Sequence, residues 1–153
     1  MKTYRFPHNK QNFEFSYIYE SYIEEHNHDY YEFSIVTKGS MVHHINTDKR
    51  IVNKNTLLLL RPEDTHFITV ENENETFELF NLNVSSKFFT SFFELTNREL
   101  LDRINEYKVI ERPLPNTSTR YLRESIIIFL PIGVSLAKSF PHPLLSEMRP
   151  SGR

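Results

Sequence analysis

From Phe13 to about Val84 the chain is written as short runs of aromatic and β-branched residues, each closed by polar turn formers. That is the period of antiparallel strands and not of helices. Phe13, Phe15, Tyr17 and Tyr19 alternate with Glu14, Ser16 and Ile18, as in a half-buried strand. Phe33 to Thr37 runs into Lys38-Gly39-Ser40, and Met41 to Ile45 returns, which reads as a hairpin. Asn46-Thr47-Asp48-Lys49 and Asn53-Lys54-Asn55 are further turns around the brief strand Arg50-Ile51-Val52. Leu57 to Leu60 is wholly apolar and is expected to be buried on both sides, and Pro62-Glu63-Asp64 ends it. His66–Val70 and Thr76–Val84 complete about seven strands, the spacing of a β-sandwich or barrel.

After Val84 the period lengthens. Phe88, Phe89, Phe92 and Phe93 recur at helical spacing within Ser85–Leu95. Thr96-Asn97-Arg98-Glu99 reads as a capping box opening a second helix through Tyr107, with Leu100, Leu101 and Ile104 on its apolar side. Residues 112–118 read as a connection, Thr119 to about Leu130 as a third helix, and the proline-broken stretch from Pro131 as a loose tail. The expected organisation is therefore a β-barrel over 1–84, helices over 85–130 that pack on it or form a dimer contact, and an irregular tail over 131–153.

Composition removes several chemistries. There are no cysteines, which excludes disulfide scaffolds, thiol catalysis and cysteine-ligated metal, and fits a cytoplasmic protein. Only Gly39, Gly133 and Gly152 are glycine, so no dinucleotide-binding, phosphate-binding or nucleophile-elbow loop can be written. A formal charge of −2 lacks the basic surplus of a phosphate-gripping domain. The apolar stretch Ile126–Ala137 is shorter than the roughly 20 residues that span a bilayer, so no membrane partner is expected.

One cluster carries the chemistry: His26-Asn27-His28-Asp29-Tyr30-Tyr31-Glu32, followed later by Pro62-Glu63-Asp64-Thr65-His66. Residues 26, 28 and 32 share parity and on one regular strand would project from one face, with His66 completing the group from a neighbour. Three imidazoles and a carboxylate suit a divalent ion such as Zn, Ni, Mn or Fe, because imidazole is the donor these ions share. Hydrogen-bonded barrel histidines with Glu32 as charge partner are the plainer explanation. His43 and His44 are adjacent on a strand, so at most one faces inward. Tyr30 offers a ring face and hydroxyl to a sugar, as does Tyr31, and Arg61 a guanidinium at the barrel mouth, although packing and solvation are the commoner uses of such residues.

His26-x-His28-x3-Glu32-x6-Gly39 resembles the first half of the cupin signature, and Pro62-x3-His66 its second half in the spacing of the sensor domains of AraC-type transcription regulators. The stretches "HNHDYYEFSIVTKG" and "LLLLRPEDTHF" are similar to the chitobiose-operon-regulator subgroup. Two glycines of the cupin pattern are missing: Glu20 and Ser21 stand ahead of the first histidine, and the second-half glycine is replaced around Asp64. The resemblance implies a mainly β cupin barrel followed by two or three helices. It implies a small sugar or sugar derivative as ligand, contacted by His26, His28, Tyr30, Glu32, His43, Arg61 and His66, and a homodimer. It implies DNA binding only through a helix-turn-helix region, for which residues 119–153 leave no room. On this reading the chain is a sensor and not an enzyme. The rivals are a metal-dependent cupin dioxygenase or sugar isomerase holding its ion with His26, His28, Glu32 and His66, and a purely structural dimerisation module.

Overall fold

Three turns are marked by positive φ: Gly39 at 72°, Asn46 at 52° and Asn55 at 65°. Asparagine tolerates this left-handed region and glycine enters it freely. At Gly39 glycine is required twice over, since a Cβ there would collide with the carbonyl oxygen of Thr76. These turns punctuate the computed structural model, which describes residues 1–8, 12–62, 64–107 and 110–115.

Among the described residues there are ten strands and two helices. In order they are β1 (Lys2–Tyr4), β2 (Phe13–Glu20), β3 (Ile23–His28), β4 (Tyr30–Lys38), β5 (Ser40–Ile45), β6 (Asp48–Asn53), β7 (Thr56–Leu60), β8 (His66–Thr69), β9 (Phe77–Ser85), α1 (Ser86–Thr96), α2 (Arg98–Glu106) and β10 (Ile110–Pro113). They form two five-stranded sheets, ordered β1-β3-β8-β5-β6 and β10-β7-β4-β9-β2. All pairings are antiparallel except β1 with β3. This is the mainly β, cupin-type architecture with following helices that the sequence leads one to expect. At one corner Arg50 on β6 reaches Glu111 on β10 at 3.8 Å, tying the edge of one sheet to the edge of the other.

Val36, Leu58, Phe77 and Leu79 from one sheet meet Met41, Val52 and Ile68 from the other in a fully buried cluster. This cluster fixes which side of each strand faces inward, and the strand period of two carries the assignment along. On β2 it decides which side the aromatic residues take. Ile18 packs against the cluster, so the odd-numbered aromatics face out. Phe15 and Tyr17 lie against Phe80, and Phe13 against Phe88, while Tyr17 and Tyr19 stay exposed. Alternation gave the period, and the contact of Ile18 with the core supplies the side.

The helices cover the outer face of the second sheet. Helix α1 lies against β4 and β9, burying Phe89 and Phe93, and Phe89 stacks on Tyr31 with ring centroids 3.8 Å apart. The second helix buries Leu100, Leu101 and Ile104. Its N-cap is Asn97, whose side chain accepts the Leu100 amide, whereas the Thr96 hydroxyl donates back to Phe92 O in α1. The cap therefore sits one residue later than the capping box read from sequence. Residues 110–113, expected in part as a connection, form β10 along β7. One compact unit thus runs from Met1 to Pro113. The expected third helix and tail lie outside the described residues.

Candidate functional site

The segment 26–32 does not form a single strand. His26 and His28 end β3 in one sheet, whereas Tyr30 and Glu32 begin β4 in the other. Asp29 makes the crossing and is pinned there: its amide donates to Tyr4 O, its carboxylate accepts the Phe6 amide, and its carbonyl accepts the Ser86 hydroxyl. Glu32 therefore belongs to the sheet opposite the histidines. In the first sheet His26 and His66 are direct cross-strand partners.

Among the described residues, the ligand atoms of His28, Glu32 and His66 lie within 4.8 Å of one another, and all three residues are buried. His26 does not join this set. Its ring centroid is 4.1 Å from that of His66, but its Nδ1 is tied to Glu24 O at 2.7 Å. His28 Nδ1 lies 2.7 Å from Tyr30 O. A carbonyl only accepts, so Nδ1 carries the proton and Nε2 is left as a lone pair. The Tyr30 ring stacks on His28 at 4.4 Å, almost parallel. His43 is buried and its Nε2 lies 3.1 Å from His66 Nδ1, while His44 turns outward onto Phe67. Only one of that pair faces in, as alternation requires.

Sequence reasoning missed three further lining groups. Ser34 donates to Glu32 Oε1 at 2.7 Å, and Asn81 Nδ2 donates to the same oxygen at 3.2 Å. Asn83 is the cross-strand partner of Glu32. The signal was available, since 81 and 83 share parity with the inward Leu79. Several polar atoms here are buried with no partner: His28 Nε2, His66 Nε2, His43 Nδ1, Asn81 Oδ1 and Asn83 Oδ1.

Burial sets the charge states. It holds His28 down at about 4 and His43 at about 3, and pushes His66 below its ordinary range, so all three imidazoles are neutral near pH 7. Burial also drives the Glu32 carboxyl up to about 7, with the Ser34 hydrogen bond opposing it. The Tyr30 hydroxyl is raised by burial and then by the nearby Glu32. Two neutral imidazoles and a carboxylate with no cationic partner form a set whose chemistry fits a divalent ion.

Arg61 is engaged elsewhere. Its guanidinium grips Asp64 at 2.8 and 3.1 Å and donates to Asn105 O at 2.8 Å. Burial pushes the Asp64 carboxyl up, but hydrogen bonds from Arg61 and Asn46 outweigh it and hold the group below its ordinary value. With Tyr31, Pro62 and Asn105 this pair lines an open cleft of about 430 Å³. Tyr31 donates its hydroxyl to Asn105 Oδ1 at 2.9 Å.

Residues 7–111 match the family model described as the AraC-like ligand binding domain. The chain belongs to that family. Two structures of ToxT from Vibrio cholerae share the fold of this AraC-like domain. One is a variant in its apo form, at 13% identity over 78% of this chain and 48% of that one, with a TM-score of 0.59. The other is bound to (E)-4-(8-methylnaphthalen-1-yl)but-3-enoic acid, at 15% identity over 82% of this chain and 51% of that one, with a TM-score of 0.55. The AraC-like domain thus spans about half the length of these proteins. No curated protein matches it in sequence. Among the described residues no helix is long and apolar enough to cross a membrane.

Proposed function

We propose that this AraC-like domain is the ligand-sensing part of a transcription regulator and takes a small sugar or sugar derivative at the polar end of the barrel interior. The carrying observation is the set of unpartnered buried polar atoms there, on His28, His66, Asn81 and Asn83, around a buried carboxylate. Such groups cost about 1–3 kcal/mol each when unsatisfied, and a polyhydroxy guest supplies both donors and acceptors. The Tyr30 ring beside His28 adds an apolar surface. His28, Glu32 and His66 are the proposed seat for a divalent ion, which would polarise or orient an oxygen of the guest. His26 and Arg61 stand outside that seat.

In the complete regulator the barrel and its helices would form a homodimer, and DNA would be met by a separate helix-turn-helix domain in the cytoplasm. Ligand acts there by population shift, favouring one arrangement of barrel and helices in proportion to its differential affinity. Membership of a ligand-binding family favours this regulatory role over catalysis.

The test is a thermal-shift and calorimetric screen of monosaccharides and disaccharides, with and without zinc. A binding sugar is expected to raise the Tm, and the double variant His28→Ala, Glu32→Gln to abolish that rise while keeping its circular dichroism spectrum. A double variant that loses its fold, in a protein whose wild type shows no sugar-dependent rise, or one that keeps its fold and the full rise, would overturn the proposal. A second reading, a metal-dependent cupin enzyme, draws on the three convergent donors. Stoichiometric metal in the purified protein, together with turnover of a sugar, would favour it over the sensor.

A further inference from the structure

Helix α2 has nine residues and ends at Tyr107, whose amide donates to Arg103 O. The last carbonyls of a helix have no partner within it, and so short a helix depends on outside contacts to hold its final turn. Asn105 O is one of those carbonyls. Its partner is the Arg61 guanidinium, which donates to it at 2.8 Å across the cleft they line and sets a positive charge at the negative end of the helix.

Asp64 aims Arg61 at α2. Its carboxylate accepts Arg61 Nε at 3.1 Å, a second guanidinium nitrogen at 2.8 Å and the Arg61 amide at 2.9 Å, and it stands in the region where the second-half cupin glycine is missing. A glycine would offer none of these bonds. Behind Asp64 lies Asn46, in the turn between β5 and β6: its Nδ2 donates to Asp64 Oδ1 at 3.0 Å, its Oδ1 accepts the Thr65 amide at 3.1 Å, and its own amide donates to Thr65 O at 2.7 Å. His66 follows Thr65 directly and is the cross-strand partner of Ile45, the residue before Asn46. Hydrogen bonds therefore run without a gap from the backbone beside His66 to the final turn of α2.

We propose that Asn46, Asp64 and Arg61 form a relay that carries displacement of His66 to α2, whose final turn is held while Arg61 grips Asn105 O and frays when it lets go. The two states differ by one charge-assisted hydrogen bond at the edge of an open cleft, where the Arg61 side chain has room to move. Coupling of this kind needs an element with two arrangements that both sites bias, and a helix end is such an element. The relay rests on the ligand-sensing reading for its purpose, because a guest beside His66 is what would drive it. The chain of hydrogen bonds is testable without a guest.

Amide hydrogen exchange at one fixed pH reads both ends of α2: the Tyr107 amide, bonded to Arg103 O, reports the final turn, and the Leu101 amide, bonded to Asn97 O, the first. Arg61→Met is expected to speed exchange at Tyr107 by about tenfold and to leave Leu101 unchanged. Arg61→Met combined with Asp64→Asn removes the pair together, strands no buried charge, and serves if the single variant melts early. Asn46→Gly suits the positive φ of that residue and is expected to speed Tyr107 by about threefold, with no further gain once Arg61 is replaced. An Asn46 effect of the same size with and without Arg61, or an equal rise at Leu101, overturns the relay. Zinc chloride is the first guest, followed by each sugar that raises the Tm. Such a guest is expected to change the Tyr107-to-Leu101 exchange ratio by about threefold in wild type and not in Arg61→Met. A guest that raises the Tm and leaves that ratio as it was overturns the relay and keeps the sensor reading. If neither zinc nor any sugar raises the Tm, the sensor reading falls and the Asn46 comparison alone decides the relay.

Discussion

The two ends of the barrel interior are lined by the same strands under the same alternation, and they are finished in opposite ways. Toward one end, Val36, Met41, Phe77 and Leu79 interlock with side chains from the facing sheet and exclude water. Two to four residues along the same strands, the inward positions become Glu32, Ser34, Asn81, Asn83 and His43, all buried and several lacking partners. The first end provides stability, since each large apolar group contributes about 1.5–3 kcal/mol on burial. The second spends some of it, because desolvated polar groups are costly unless paired. A barrel built for stability alone would have continued the apolar filling. The difference is what the proposed ligand seat would require of that end.

The sharpest way to break this contrast is to truncate both ends. Phe77→Ala is expected to cost about 3–5 kcal/mol in urea denaturation, through lost burial and the cavity left behind. Asn83→Ala, which removes an unpartnered buried oxygen, is expected to cost less than about 1 kcal/mol. Equal costs would mean that the two ends do the same work.

Glu32 sharpens the contrast through pH. Its carboxyl titrates near 7 in the folded chain against an ordinary value of 4.5, so the folded state holds a proton that the unfolded state has shed between those values. Its contribution to stability therefore falls as pH rises across that window, and the penalty is complete above it. Glu32→Gln is expected to be more stable than wild type at about pH 8, by up to about 3 kcal/mol, and nearly equal at about pH 4. A difference independent of pH would show that burial of the charge is not the cause. A control remote from both ends completes the set: Asn97→Ala removes the cap of α2 and is expected to cost about 1 kcal/mol, with ligand-dependent Tm shifts unchanged.

Much of this was legible in the sequence, and the misses share a physical origin. Turns and strand periods are local, so Gly39, Asn46 and Asn55 declared themselves, and the spacing of His28, Glu32 and His66 pointed to a common site. What stayed hidden depended on contacts between distant segments. The bend at Asp29, which sets Glu32 in the opposite sheet from His28, is held by Tyr4, Phe6 and Ser86. The pairing of β10 depends on β7. Asn81 and Asn83 were passed over because asparagine on a surface signals a turn, whereas here both lie within a long strand flanked by β2 and β4. His26 had the right spacing, but its ring nitrogens do not converge with those of His28 and His66 on Glu32, although its Nδ1 is held by a backbone carbonyl just as that of His28 is.

Tyr31 and Glu32 are consecutive residues pointing to opposite sides of one strand, and Leu60, the cross-strand partner of Glu32, is followed directly by Arg61. Tyr31 and Arg61 are both bolted to Asn105, in the last turn of α2. The back of the helix pair is thereby riveted to the panel whose front carries the carboxylate. Any load that displaces that panel is delivered to α2 within one peptide's length, with no loop in between to absorb it.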